Sequence, residues 1–405
     1  MNILLVSTLY PEPDEQGIVK DTKAVHYFAR EWVKMGHRVV VLHPYRNPVT
    51  KLSRCFSRRN GTIRRNVIEG VEVLLYELQL FVPHNYVPMA WQQRRAVSAF
   101  IDYLRENMQD FSPDAVTVHF PLTNLEMVEK LKEWDKLNMT PFFAVFHGSD
   151  VRQLQSGGTD LRTITRLFNK CLFRSSKLRD SAEKCGLIGS PDSIALSGIE
   201  ESLVMDEWDL KLKLNQREKN VYRDSYVGKL NSQKNVTTII RAVSLLINRF
   251  NVLLDIVGDG PMDGELKNLA NELNVAESVN FHGRKSREDS IRVMRDADVF
   301  VMVSKNETFG LVYIEAMAQG CIPIGSRNEG IDGVIKHGEN GLLVSPDDEK
   351  QLAEELVAIF EMDAERRKEL AYNSYRTAKT MTSMCMAQKY LNFIRSNDYN
   401  ENSLE

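Results

Sequence analysis

Val299-Phe-Val-Met-Val303 and, a little further on, Asn306-Glu-Thr-Phe-Gly-Leu-Val-Tyr-Ile-Glu-Ala-Met-Ala-Gln-Gly-Cys-Ile-Pro-Ile-Gly325 decide how this chain folds. The first five residues are a continuous apolar run, which suits a strand covered on both faces. Residues 304–309 read as a polar loop carrying Glu307. Gly310 then opens a predicted helix in which Leu311, Ile314 and Ala318 recur at helical spacing, and Gly320 stops it. Residues 321–325 are the next strand. Strand, acidic loop, glycine and helix start together place free backbone N–H groups and the positive end of a dipole beside a carboxylate. Such N–H groups suit phosphate oxygens, and a carboxylate accepts from sugar hydroxyls. Glu315 sits among Ile314, Ala316 and Met317, so if buried it requires a hydrogen-bond partner. The plainer alternatives are an acid favoured near a helix start for Glu307 and a solvated helix residue for Glu315.

The same grammar runs through the second half. A strand beginning at Val221 delivers Gly228, and Lys229 and Lys234 flank the loop before a predicted helix over 236–250. Two cations five residues apart on such a loop clamp a diphosphate or are simply solvated. Residues 252–257 form a strong strand leading into Gly258-Asp-Gly-Pro261, a tight turn that lets backbone approach a ligand. Residues 279–284 are a strand ending at Arg284, which either meets a ligand or lies on the surface. Helices are expected from 346 to about 360 and, amphipathic, over 380–394.

The first half opens with a strand over 2–7, a loop broken by Pro11, Pro13 and Gly17, a helix over 19–35 and a strand over 37–42. That βαβ opening signals a doubly wound domain, whose ligands sit beyond the carboxyl ends of the strands. No Gly-x-Gly-x-x-Gly follows the first strand, which disfavours a dinucleotide cofactor. Further strands are expected over 70–76, 114–119 and 142–147. His147, at the end of a buried strand and followed at once by Gly148, points into the crevice; a structural histidine is the alternative. Asp150 either joins His147 there or caps the next helix, and His119 is read as structural. Residues 206–220, charged and short of turn glycine, are the expected interdomain linker.

Length, composition and charge set bounds on this reading. A chain of 405 residues is long enough for two cores, and 43 % hydrophobic with 26 % charged residues is ordinary for a globular protein. Residues 1–200 carry 26 Lys+Arg against 22 Asp+Glu, the remainder 26 against 33, so the first half faces the more anionic partner. No run approaches the roughly 18 apolar residues of a membrane span. Five scattered cysteines argue against a disulfide framework or a zinc site and fit a reducing cytoplasm. Residues 51–65 hold Arg54, Arg58, Arg59, Arg64 and Arg65 with Phe56 and Ile63 between them. They read as a solvated loop or as a contact with an anionic lipid surface, helped by Trp91-Gln-Gln-Arg-Arg95. Peripheral attachment at the inner face of the cell membrane is therefore an expectation. Nucleic acid is not: the chain is acidic overall and carries no reading motif.

Glu307 and Glu315, seven residues apart and followed by Gly320-Cys-Ile-Pro-Ile, resemble the Glu-x7-Glu motif of the retaining family 4 glycosyltransferases, in the glycosyl transferases group 1. Gly330 and His337-Gly-Glu-Asn-Gly-Leu-Leu-Val344 are similar to the segments that follow it there. The resemblance implies an α/β GT-B fold, two Rossmann-like doubly wound domains facing across a cleft. It implies an acceptor-side domain over 1–205, a nucleotide-sugar domain over 221–378, and a C-terminal helix and tail over 379–405 packing back on the first domain. The implied reaction moves a hexose from a nucleotide diphosphate sugar to an acceptor hydroxyl with retention, in polysaccharide, capsule or glycolipid synthesis. No cofactor or metal is implied. Catalytic roles fall to Glu307, His147, Lys229 and Lys234. Gly17, Gly228, Gly258, Arg284, Thr308, Phe309, Gly310, Leu311, Val312 and Glu315 contact the donor. This chain has Lys229 where the family has Arg and Asn235 where it has Gly, which implies a weaker fork on the pyrophosphate and an altered turn. A nucleotide-sugar epimerase of the same fold, or an inactive scaffold, are the alternatives.

Overall fold

The computed structural model describes residues 1–11, 23–49, 62–81, 90–157, 159–215 and 221–396. They form two compact units. The first takes Met1–Arg174, Leu178–Ser197 and the chain from Met386 onward; the second takes Ser175–Lys177 and Gly198–Cys385.

In the first unit the strands are β1 (Asn2–Val6), β2 (Arg38–Val49), β3 (Ile63–Ile68), β4 (Val71–Phe81), β5 (Ala115–His119), β6 (Phe142–Phe146) and β7 (Lys170–Phe173). They lie in the order β3-β4-β2-β1-β5-β6-β7. All pair in parallel except β3, which folds back against β4. Parallel strands need crossover segments that cover both faces, and the runs Ala-Val-Thr-Val-His and Phe-Phe-Ala-Val-Phe are accordingly buried at every residue. Strand order reverses at β1, so the crevice beyond the carboxyl ends of β1 and β5 is this unit's topological switch point.

Helix Ser383–Arg395 closes the chain. From Met386 it is part of the first unit's core. The indole of Trp32, fully buried, donates to the Ala387 carbonyl at 2.9 Å. Tyr390 packs edge-on against Phe28 and shares a hydrogen bond with Thr117 of β5. Burying an indole is favourable only if its N–H finds a partner, and the last helix supplies one.

The second unit holds β8 (Tyr222–Val227), β9 (Val252–Val257), β10 (Val279–Phe281), β11 (Val299–Met302), β12 (Ile322–Ser326) and β13 (Leu342–Val344). Their order is β10-β9-β8-β11-β12-β13, all parallel. Here the switch point lies between β8 and β11, the strands that deliver Lys229 and Glu307.

Two expectations change. Residues 206–220 are not a plain linker: Glu207–Asn215 is a helix of the second unit. Its charged sequence conceals Leu210 and Leu214, both buried, and Lys213 donates to the Gln319 carbonyl at 2.7 Å. Nor is 51–65 a single basic loop. Arg64 and Arg65 lie on the edge strand β3 and pair with Glu77 (3.3 Å) and Glu72 (2.7 Å), because an antiparallel hairpin sets each arginine near an acid of β4. Arg54, Arg58, Arg59 and Gly17 lie outside the described residues.

The β3–β4 hairpin turns on Glu69 and Gly70, with φ of 49° and 84°, the left-handed pair that a two-residue hairpin requires. Glu69 accepts from Lys23 at 3.3 Å and Arg30 at 3.1 Å. Burial alone would raise its carboxyl; the hydrogen bonds from Arg30 and Lys23 and the nearby His26 outweigh that and hold it at about 2, below the ordinary 4.5. The unfolded chain therefore binds this proton more tightly than the fold, so the group stabilises above pH 4.5 and the contribution is lost as pH falls toward 2. Glu69→Gln should lower the urea midpoint at neutral pH, and its deficit should vanish as pH is lowered through that window.

Candidate functional site

The second unit's site is built from three loops at the carboxyl ends of its strands. The first, after β8, runs from Gly228 to Asn235. Lys229 is exposed, and its ammonium has no partner among the described residues. Its carbonyl accepts from the buried Tyr226 hydroxyl at 3.0 Å. Asn235 adopts φ 53° and ψ 39° and starts helix Val236–Ser244. Asparagine tolerates this left-handed conformation, which glycine also favours. Its amide holds the Pro346 carbonyl, and its carbonyl oxygen accepts from Thr238 at 3.1 Å.

The second loop, after β9, presses backbone to backbone on the first. Gly258 (φ 145°) donates to the Gly283 carbonyl at 2.9 Å, and a Cβ there would overlap the Gly228 carbonyl. A Cβ on Gly260 would overlap Leu230 in the same way. Glycine is required at both positions by the approach itself. Arg284, one residue past Gly283, is exposed and unpaired among the described residues.

The third loop, after β11, carries Glu307. Its carboxylate accepts from the Lys234 ammonium and from the Thr308 amide, the latter at 3.1 Å. Gln233 stitches the first and third loops together: its carbonyl accepts from Lys305 at 2.8 Å and its side chain donates to the Asn306 carbonyl at 3.1 Å. Lys234 and Glu307 are 19 % and 14 % exposed, so this pair is partly desolvated, unlike a surface ion pair. Glu307 also sits near two buried phenols. Burial, and secondly the Glu307 charge, push both Tyr226 and Tyr313 above the usual tyrosine range. Gly310 (φ 82°) caps helix Leu311–Ala318. The amides of Phe309, Gly310, Leu311 and Val312 have no acceptor among the described residues, the open donors of a helix start. Glu315, a turn along, is not solvated: Arg287 grips one of its oxygens at 2.6 and 3.1 Å.

The first unit gathers a second cluster. His147, at the end of β6, bonds His119, at the end of β5, across 3.0 Å and stacks on Phe120 at 3.8 Å. Burial, and after it the Arg174 charge, pushes His119 down; burial, His119 and Arg174 do the same to His147. Both are therefore neutral imidazoles at neutral pH. Asp150 accepts from the His147 amide at 2.9 Å and the Leu122 amide at 3.2 Å. Burial lifts its carboxyl to about 6 despite those bonds. Asp150 thus caps its helix, as the sequence suggests, and also anchors the turn after β5.

Sequence reasoning read His119 as structural, without its bond to His147, and did not single out Arg287, Lys177 or Glu329. A signal existed for His119, since two neighbouring parallel strands each end in histidine. None existed for Arg287 or Glu329, whose importance comes from tertiary placement alone.

Two doubly wound units, each with its loops at the carboxyl ends of its strands, are the GT-B class of fold. Residues 207–377 match the family described as Glycosyl transferases group 1. An uncharacterized glycosyltransferase of Methanocaldococcus jannaschii is 31 % identical over 185 residues, 42 % of this chain and 46 % of the relative. N-acetyl-alpha-D-glucosaminyl L-malate synthase of Bacillus anthracis is 28 % identical over 163 residues, 39 % and 42 % of the two chains. The chain spans less than half the length of these curated relatives. Anabaena HepE, solved in complex with UDP, superposes with a TM-score of 0.68 at 15 % identity, covering 97 % of this chain and 99 % of its own.

The backbone contacts yield a paired prediction. A Cβ on Gly330 would overlap the Thr308 carbonyl and the Phe309 amide, both main chain. Gly330→Ala should cost about 1–3 kcal/mol by overpacking, whereas Gly264→Ala, in a helix with open space around it, should stabilise by up to about 1 kcal/mol. Chemical denaturation of the two variants tests both signs.

Proposed function

We propose that this protein transfers a hexose from a nucleotide diphosphate sugar to an acceptor hydroxyl with retention at the anomeric carbon. The observation that carries the reading is the Lys234–Glu307 pair beside the open amides of 309–312, at the switch point where such folds bind ligands. Lys229, Lys234 and those amides face the developing charge of a leaving diphosphate; fixed donors aimed at such charge are usually the largest catalytic term. Glu307 takes the sugar hydroxyls, Glu315 the ribose, and Arg284 and the Gly258 turn the nucleotide. His147, neutral, contributes shape rather than a charge. With two cations in place, no divalent ion is called for. The acceptor oxygen bonds to the anomeric carbon as its bond to the phosphate oxygen breaks, and the acceptor proton passes to the departing phosphate on the same face. The relatives' names point to glycan or glycoconjugate synthesis as the setting, with nucleotide sugars such as UDP-sugars as donors.

Screening UDP-, GDP- and ADP-sugars for hydrolysis and transfer, with and without EDTA, tests the reading. Turnover should survive EDTA. Lys234→Ala should weaken nucleoside diphosphate binding about tenfold or more, the loss of a charge-assisted contact. Glu307→Gln should instead leave that binding unchanged or tighter, because Lys234 is released, while turnover falls about a hundredfold. An epimer formed from donor alone would replace transfer by isomerisation, and no turnover with any donor would leave a scaffold.

Attachment to an anionic membrane is a separate proposal for the basic segment. No helix among the described residues is long and apolar enough to cross a membrane. With Arg64 and Arg65 already paired, the proposal rests on Arg54, Arg58 and Arg59. Changing these three to Ser should abolish sedimentation with phosphatidylserine vesicles, and unchanged sedimentation would end the proposal.

A further inference from the structure

We infer that Glu329, neutralised by Lys177, is the positioning residue that aims Glu307. One oxygen of Glu329 accepts from the Glu307 amide at 2.8 Å and from the Lys177 ammonium at 2.6 Å. The next residue completes the clasp, for the Gly330 amide donates to the Glu307 carbonyl at 3.1 Å. Both polar groups of the Glu307 backbone are thus held by two consecutive residues of the loop after β12. Lys177 belongs to the short segment Ser175–Lys177 that clusters with this unit, where the neighbouring Ser176 hydroxyl donates to the Asp332 carbonyl at 3.0 Å.

The charges explain why a carboxylate can serve here at all. Glu329 and Glu307 are 12 % and 14 % exposed, and two neighbouring, partly desolvated carboxylates repel unless each has its own cation. In the row Lys177, Glu329, Glu307, Lys234 the two carboxylates lie between two cations, one for each. A glutamate side chain has three rotatable bonds, so its carboxylate is placed only if its backbone is fixed at one end and its oxygens at the other. Glu329 fixes the backbone and Lys234 the oxygens. The inference rests on the glycosyl-transfer reading, in which Glu307 must meet the sugar hydroxyls, and small misplacements of such a group are costly.

The test uses Glu329→Ala, Glu329→Gln and Lys177→Met in the full chain with three readouts. Amide hydrogen exchange over residues 305–310 reports the clasp without reference to activity. In Glu329→Ala it should quicken, and kcat should fall about tenfold or more, while the donor KM and the affinity for nucleoside diphosphate change less than about threefold. Glu329→Gln still accepts from the Glu307 amide and should restore slow exchange and most of kcat; Lys177→Met should fall between the two. Unchanged exchange and kcat in Glu329→Ala would overturn the positioning role. So would an equal loss of nucleoside diphosphate binding in the Ala and Gln variants, which would mark a general collapse of the loop. If the unsubstituted chain turns over no nucleotide sugar, the transfer reading fails on its own, and the exchange result still decides whether Glu329 holds Glu307.

Discussion

Lys234 and Glu307 neutralise each other, and much of the second unit is arranged so that they can. Each is largely withdrawn from water, and a lone charge in that position would be costly. Together they are tolerable, and either can be shared with a ligand of matching charge. A diphosphate brings the anion that draws on Lys234, and in doing so frees carboxylate lone pairs on Glu307 for hydroxyls. In the proposed reaction phosphate and sugar recognition are therefore coupled through one bond, and the donor is a molecule that carries both groups at the right separation.

That bond has meaning only if the loops bearing it keep their spacing. The spacing is set by main chain meeting main chain, at Gly258 against Gly228, Gly260 against Leu230, and Gly330 against Thr308. No side chain intervenes, so no rotamer change can relax these contacts. Gln233 adds a two-sided hydrogen-bonded stitch. The buried hydroxyls of Tyr226 and Tyr313 tie the first and third loops back to the Lys229 and Met302 carbonyls. Burial keeps both phenols protonated, which is what a donor to a carbonyl must be.

Much of this architecture was legible in the sequence because it rests on local pattern. Apolar runs such as 299–303 and 142–146 announce strands covered on both faces, and glycines punctuate the loops that follow. Glu307, Lys229, Lys234 and the helix start at Gly310 could be placed at strand ends by spacing alone. Features set by packing were hidden. Leu210 and Leu214 lie in a stretch whose charges suggest a linker, and Arg64 and Arg65 look like a loop until β4 supplies their acids. The grip of Arg287 on Glu315 and of Glu329 on Glu307 joins residues 28 and 22 positions apart, and nothing in either local sequence foretells it.

The two units differ in the kind of polar group they bury, and the difference bears on chemistry. In the second unit cations face a carboxylate and open amides. In the first, His119 and His147 sit with Arg174 nearby, and burial together with that guanidinium keeps both imidazoles uncharged. The neutral His147 is engaged by His119 through one ring nitrogen and, in the capping box of its helix, accepts from the Asp150 amide with its side chain. It cannot balance the charge of a leaving diphosphate, and it is a poor base while its conjugate acid is disfavoured. In the proposed reaction the electrostatic work therefore falls to Lys229, Lys234 and the amides of 309–312, and the acceptor proton goes to the phosphate. In that reaction His147, engaged by His119 and by the start of its own helix, shapes the site without taking part in the proton's transfer.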